Sequence, residues 1–269
     1  MTIRPRPLVA GNWKMNGLKA SLPELAAIRD GVMAGAFGRA EAAICPPATL
    51  VSLAVELAQG SELAIGGQDC HAKVSGAHTG DVSAAMLADL GCRFVECGHS
   101  ERRRDHGETD DVVAAKVERI VAHGMIPIMC VGEPAAGETA AAAAFVTGQV
   151  RAGLARLDPA AIAHVIVAYE PVWAIGIGAV PADPAHVEAV HLAIHAELDC
   201  LADRPSVGRV IYGGSVDPAS APGILSRGGV DGVFVGRSAL DPANLATIAF
   251  LAARMAGDRD APPSPGRHA

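Results

Sequence analysis

Apolar residues fall in two alternating patterns along this chain. Short, nearly unbroken apolar runs at residues 8–12, 42–45, 63–68, 93–98, 125–131, 164–169, 209–212 and 232–235 read as strands. Between them lie longer stretches with apolar residues three and four apart, such as Leu22, Leu25, Ile28 and Val32, or Val113, Val117 and Ile120, or Val187, Val190 and Ile194. These predict helices opening at Ser21, over residues 48–59, up to Leu90, over 109–123 and 139–157, after Asp183, and over 218–226 and 244–255. Ser21-Leu22-Pro23-Glu24 reads as a capping box, Asp183-Pro184 as an N-cap with Pro in the first turn, and Gly124 as a C-terminal stop. Strands that are apolar throughout are buried on both faces, as in a parallel sheet wrapped by helices. Eight such strand–helix units predict an α/β fold, a closed (β/α)8 barrel occupying residues 1–256 as a single domain. The rival is an open doubly wound sheet, but no Gly-x-Gly-x-x-Gly follows the first strand. Residues 257–269, Pro-rich and charged, read as a disordered tail.

Composition narrows the partners. A chain of 269 residues suits one barrel, and an apolar share of 50% supplies its core. A formal net charge of -7 leaves no basic field for nucleic acid or anionic lipid, so an anionic ligand must be held locally, by backbone amides and a few cations. The 6 cysteines are scattered without a Cys-x-x-Cys pair, which fits small buried hydrophobes in a reducing compartment. The first residues carry no signal-peptide core and no run reaches membrane-spanning length, so a cytoplasmic location without membrane contact is expected. The histidines show no convincing ligand spacing; His191 and His195 lie four apart on a helix but lack a third ligand. No metal and no cofactor are expected.

Candidate chemistry sits just past the strands. In residues 168–178, AYEPVWAIGIG, Glu170 ends a strand and Pro171 stops both ladder pairing and helix entry. Gly176 and Gly178 follow in the loop. An acid so placed is either a general base under a movable loop or a strand-end carboxylate facing solvent. Other strand ends offer Asn12 and Lys14, then His99, Ser100 and Glu101, then Gly213-Gly214-Ser215, then Gly236-Arg237. Gly213-Gly214 alone reads as a plain turn, and only its position opposite Glu170 reverses that preference. In a closed barrel all of these converge on one mouth.

Six stretches, in order along the barrel, resemble the triosephosphate isomerase family: VAGNWKMNG (9–17), SGAHTGD (75–81), ECGHSERR (96–103), CVGE (130–133), AYEPVWAIG (168–176) and YGGSV (212–216). The resemblance implies aldose–ketose isomerisation of dihydroxyacetone phosphate and D-glyceraldehyde 3-phosphate through an enediolate. Glu170 would move the proton between adjacent carbons, with His99 and Asn12 donating to the enediolate oxygens and Lys14 supplying fixed positive charge. Asn12 and Lys14 would also bind substrate. Gly176, Ser215, Gly236 and Arg237 match the phosphate-binding positions. Glu101 takes an auxiliary role, either supporting the site or pairing with Lys14. The loop of residues 75–81, with Thr79 at its tip, would brace a neighbouring subunit's site, which implies a homodimer.

Three features depart from the common pattern. His78 stands where Phe or Tyr is usual, and the loop after Glu170 carries Ile177 for Thr, one extra residue, and Pro181 near its far hinge. Arg237 follows Gly236 where a second glycine is usual. The loop and Arg237 resemble a sister branch acting on four-carbon ketose phosphates such as erythrulose 4-phosphate, whereas VAGNWKMN, with Asn12, is the ordinary triose form. Triose phosphate is therefore the expected substrate and the four-carbon sugar the alternative. Two other classes stay open: a non-catalytic phosphate-binding barrel, which should have lost at least one of Lys14, His99 or Glu170, and a metal-dependent aldolase.

Overall fold

Each apolar run becomes a strand, and each strand lies against the next in parallel. The computed structural model describes residues 5–176, 181–204 and 208–260, the last three as backbone only. In chain order the elements are β1 (Leu8–Asn12), α1 (Leu22–Met33), β2 (Glu41–Cys45), α2 (Val51–Ala58), β3 (Ala64–Gly67), α3 (Ala84–Leu90), β4 (Phe94–Cys97), α4 (Ser100–His106), α5 (Asp110–Ala122), β5 (Ile126–Val131), α6 (Thr139–Leu154), α7 (Pro159–Ile162), β6 (Ile166–Tyr169), α8 (Pro184–Leu201), β7 (Val210–Tyr212), α9 (Ala221–Leu225), β8 (Gly232–Val235) and α10 (Pro242–Asp260). The strands pair in sequence order, and β8 returns to β1 with Gly232 beside Leu8 and Val235 beside Gly11. The sheet is thus the closed barrel that the alternation predicts.

Burial explains why the strands look apolar throughout. One set of alternate residues, among them Leu8, Ala10, Phe94, Ile128, Ile166 and Phe234, fills the barrel interior. The other, among them Val9, Val95, Met129, Val167 and Val233, packs under the helices. Neither face meets water, so period-two patterning is absent. Closure also constrains backbone. At Gly232, where φ is 149°, an added Cβ would lie 1.9 Å from the Leu8 carbonyl oxygen, so only glycine lets β8 approach β1.

Several helix boundaries differ from the sequence reading. Ser21 does not cap α1: it ends a 3-10 turn (Lys19–Ser21), and its hydroxyl accepts from the Leu18 N–H at 3.2 Å. Pro23 in the first turn fits the helix start without that cap. The stretch 48–59 splits into a 3-10 turn (Ala48–Leu50) and α2, because Pro46-Pro47 tightens the entry. The stretch 139–157 ends at Leu154, and a separate turn, α7, opens at Pro159. Asp183 does cap α8, its carboxylate accepting from the Ala185 N–H at 2.7 Å. The last helix begins at Pro242 and continues to Asp260, beyond the tail boundary drawn at residue 257.

At the amino end of the barrel, Glu41 pairs with Arg93 at 2.8 Å and with Arg209, tying β2, β4 and β7 together. The opposite, carboxyl end carries the loops in which the sequence places its chemistry.

Candidate active site

A cleft of ≈ 760 Å³ opens at the carboxyl ends of the strands. Asn12, Lys14, His99, Glu101, Glu170, Gly176, Ser215, Gly236 and Arg237 all line it. These come from five different strand ends. Thr79 lies outside it, exposed on the loop after β3. Ile177, the loop substitution noted in the sequence, lies outside the described residues, while Pro181 lines the cleft.

β1 delivers Asn12 and Lys14 through a strained turn. Lys14 has φ 52°, a left-handed conformation costly for a residue with a long side chain. Its backbone is held at both ends. Its N–H donates to Asn12 Oδ1 at 2.7 Å, and its carbonyl accepts from Gln68 Nε2 at 2.9 Å. Gln68 Nε2 also reaches the Cys45 carbonyl at 2.9 Å, clamping the end of β1 to that of β2. The strain aims the ammonium across the cleft, where Lys14 Nζ meets Glu101 Oε1 at 2.6 Å. Burial raises the Glu101 carboxyl, but the hydrogen bond and the charge of Lys14 pull it down, and the group is held below its usual range.

β4 ends at Cys97, Gly98 follows, and His99 serves as the N-cap of α4. Its Nδ1 accepts the Glu101 N–H at 3.1 Å. Nε2 therefore carries the ring proton and faces Glu170 Oε1 at 3.3 Å. Two influences on the ring's charge conflict. Burial lowers its basicity, while the carboxyls of Glu170 and Glu96 raise it, to about 9. An imidazolium, however, would turn an Nδ1–H onto the Glu101 N–H, at a helix start where positive charge is disfavoured. The hydrogen bond decides the matter: the ring is neutral and its Nε2–H is a donor into the cleft.

β6 brings Glu170, only 3% exposed, up against this donor. Its N–H donates to the Val131 carbonyl at 2.7 Å, and its Oε2 lies 3.5 Å from the Ser100 N–H. Gly213 after β7 forms the wall behind it: an added Cβ there would sit 2.6 Å from Glu170 Cγ. That close approach gives Gly213 a reason beyond turning the chain. Ser215 Oγ donates to the Ala174 carbonyl at 3.1 Å, joining the β7 loop to the stem of the loop after Glu170. The same stem is anchored by Trp173, whose Nε1 donates to Glu133 Oε1 at 2.6 Å, and by Tyr169, whose hydroxyl donates to the same oxygen at 3.1 Å. These bonds hold the stem as far as Ala174, and Gly176 beyond it is exposed with φ 114°.

The chain matches the family model for triosephosphate isomerase over residues 7–252. The chain belongs to the triosephosphate isomerase family. It is 50% identical to the triosephosphate isomerase of Afipia carboxidovorans over 245 residues, 91% of this chain and 96% of that protein. It is 46% identical to that of Rhizobium etli, covering 92% of this chain and 96% of that protein, and 48% identical to that of Caulobacter vibrioides, covering 88% and 92%. A solved structure of triosephosphate isomerase from Bartonella henselae superposes with a TM-score of 0.80 at 38% identity, over 92% of this chain and 99% of that one.

Some groups in and around the family's cleft are not legible from motif spacing. Gln68, Trp173 and Glu133 act through contacts between distant strand ends. Glu96, inside the ECGHSERR stretch, is a carboxyl only 1% exposed in an otherwise apolar strand; a charged residue at an inward strand position was the available signal. Among the described residues, His71, His78 and Asp81 bring ligand-type atoms within 4.8 Å of one another, a grouping that spacing did not reveal. They do not suit a metal. His71 Nδ1 accepts the Lys73 N–H at 3.1 Å, so its Nε2 holds a proton and faces Asp81 Oδ2 at 3.7 Å. His191 and His195 both turn to the Gly229 carbonyl, at 3.1 and 3.0 Å.

Proposed function

We infer that this chain is a triosephosphate isomerase interconverting dihydroxyacetone phosphate and D-glyceraldehyde 3-phosphate, and so serving glycolysis and gluconeogenesis. The observation that carries the reading is the meeting of Glu170, His99, Asn12 and Lys14, from three strand ends, in one cleft, with Glu170 Oε1 3.3 Å from His99 Nε2. Glu170 removes the proton from the carbon beside the carbonyl and returns it to the neighbouring carbon. The negative charge that develops on oxygen is met by the Nε2–H of neutral His99 and by the Asn12 amide, with the Lys14 ammonium beside them. A neutral imidazole serves better than a cation here, because it donates without pairing permanently with the base. The phosphate is held by backbone amides at Gly176, Ser215 and Gly236 and by the Arg237 guanidinium, a local arrangement suited to a chain of net charge -7.

The substrate is a triose phosphate, as the names of the relatives favour; the four-carbon ketose phosphate remains the alternative because Arg237 lines the phosphate end of the cleft. The protein works as a homodimer in the cytoplasm. Supporting the dimer, Met15 is 97% and Leu18 75% exposed after β1, on the same end of the barrel as the loop bearing Thr79, and water is a poor neighbour for both. Among the described residues no helix is long and apolar enough to cross a membrane.

Steady-state kinetics with both sugar phosphates, on the wild type and on Glu170→Asp, test the assignment. Retracting the carboxylate by about 1 Å should lower kcat by about 10²-fold with KM little changed. Unchanged turnover by Glu170→Asp defeats the role of Glu170, and a kcat/KM favouring the four-carbon substrate reverses the choice of sugar.

A further inference from the structure

Glu96 is the one charged residue that β4 turns into the barrel. Phe94 belongs to the interior cluster, and Glu96, two residues on, points the same way, directly beneath the cleft. Its Oε1 accepts from Asn12 Nδ2 at 2.8 Å and lies 3.9 Å from His99 Nε2. Its Oε2 is buried without a hydrogen-bond partner among the described residues. The other end of the Asn12 amide is equally committed, since Oδ1 accepts the Lys14 N–H at 2.7 Å. The amide cannot flip without losing both bonds, and its second Nδ2 hydrogen is left for the cleft.

We propose that Glu96 is a positioning residue for the isomerisation, pinning the Asn12 amide so that its remaining hydrogen meets the reacting oxygen of the substrate beside His99 Nε2–H. This rests on the roles given above to Asn12 and His99. Glu96 does this uncharged. Burial raises its carboxyl to about 8. The groups that face it are Lys14 after β1, Asp69 after β3, His99 after β4 and Glu170 after β6, with the thiols of Cys45 on β2 and Cys130 on β5. Lys14 favours the carboxylate, as His99 would only if its ring were charged, and Asp69 and Glu170 oppose it. The orphaned Oε2 agrees with a protonated group, since an anion there would lack compensation. Once ionised, Glu96 would hold the Nε2–H of His99 to itself and repel the enediolate, so activity should fall as it loses its proton.

The test uses the full chain, with dihydroxyacetone phosphate as substrate, kinetics from pH 6 to 10, and circular dichroism to confirm folding. Glu96→Gln keeps the acceptor and cannot ionise; its kcat at pH 7 should stay within about threefold of wild type, while the alkaline fall near pH 8 disappears or moves up by about one pH unit or more. Glu96→Leu removes the acceptor, and should lower kcat by about tenfold or more with KM within about threefold. In an Asn12→Ala background Glu96→Leu should add less than about twofold, because its effect passes through that amide. An alkaline limb identical in wild type and Glu96→Gln, or wild-type kcat in Glu96→Leu, overturns the proposal while leaving the enzyme assignment standing. Should Glu96→Leu not fold, the Glu96→Gln profile decides alone. A wild-type chain that does not isomerise the substrate defeats the functional reading, and this inference with it.

Discussion

Replacing Glu96 by Gln should make the protein more stable, and increasingly so as pH rises. In the unfolded chain this carboxyl ionises near 4.5, whereas burial in the barrel raises it to about 8. A group whose folded-state value is raised keeps its full contribution below the unfolded value and loses it as pH climbs to the folded one. Between those limits the native state holds one proton that the unfolded chain has released. Stability then declines by about 1.4 kcal/mol per pH unit on this account, or about 3 kcal/mol between pH 5 and pH 7.5. Gln carries no such proton, so the Glu96→Gln curve lacks this decline, and all other titrating groups are shared by both chains. The gap in unfolding free energy between variant and wild type should therefore widen by about 3 kcal/mol from pH 5 to pH 7.5. Urea unfolding at the two pH values measures it, with chain concentration held fixed so that any self-association contributes equally to both chains. A gap of equal size at both pH values would refute the reasoning. Glu96 would then ionise alike in the folded and unfolded chain, and Asn12 would rest on a buried carboxylate.

Three other substitutions probe the cleft and the loop outside it. Gly213→Ala places a methyl group 2.6 Å from Glu170 Cγ; displacing the base by about 1 Å should cut kcat by about 10²-fold, measured in a coupled isomerase assay. Glu101→Ala removes the carboxylate 2.6 Å from Lys14 Nζ. The loosened ammonium should raise KM by about five- to tenfold with a smaller fall in kcat, and an unchanged KM would deny Glu101 its auxiliary role. Thr79→Arg, on an exposed loop tip, should leave the barrel folded by circular dichroism yet shift sedimentation from dimer to monomer. A dimer that persists with full activity would remove this loop from the interface.

What the sequence conveys about this barrel depends on whether a constraint is local. Strands could be located because eight runs must be apolar on both faces, a demand that each run satisfies by itself. Glu170, His99, Asn12 and Lys14 could be gathered in advance because closure of the sheet brings strand ends together whatever the loops do. Ser21 misled because Ser-x-x-Glu is compatible with a cap but does not compel one; a preceding 3-10 turn claimed the hydroxyl. Glu133 and Trp173 lie within the CVGE and AYEPVWAIG stretches, but their contact, like those of Gln68, is not legible there because it is set by how neighbouring loops pack and not by spacing. Glu96 is the instructive intermediate. Its side of the strand follows from Phe94 two residues earlier, and an acid on an interior face is a local contradiction that demands a compensating role. Only the structure supplies the compensation, in the form of an amide from a strand 84 residues away in sequence. Donors arranged around a developing oxyanion are most effective when they need not reorganise, and an amide fixed at both ends meets that condition. On the proposal above, the acid beneath the cleft positions a donor for the reaction and is no defect of the core.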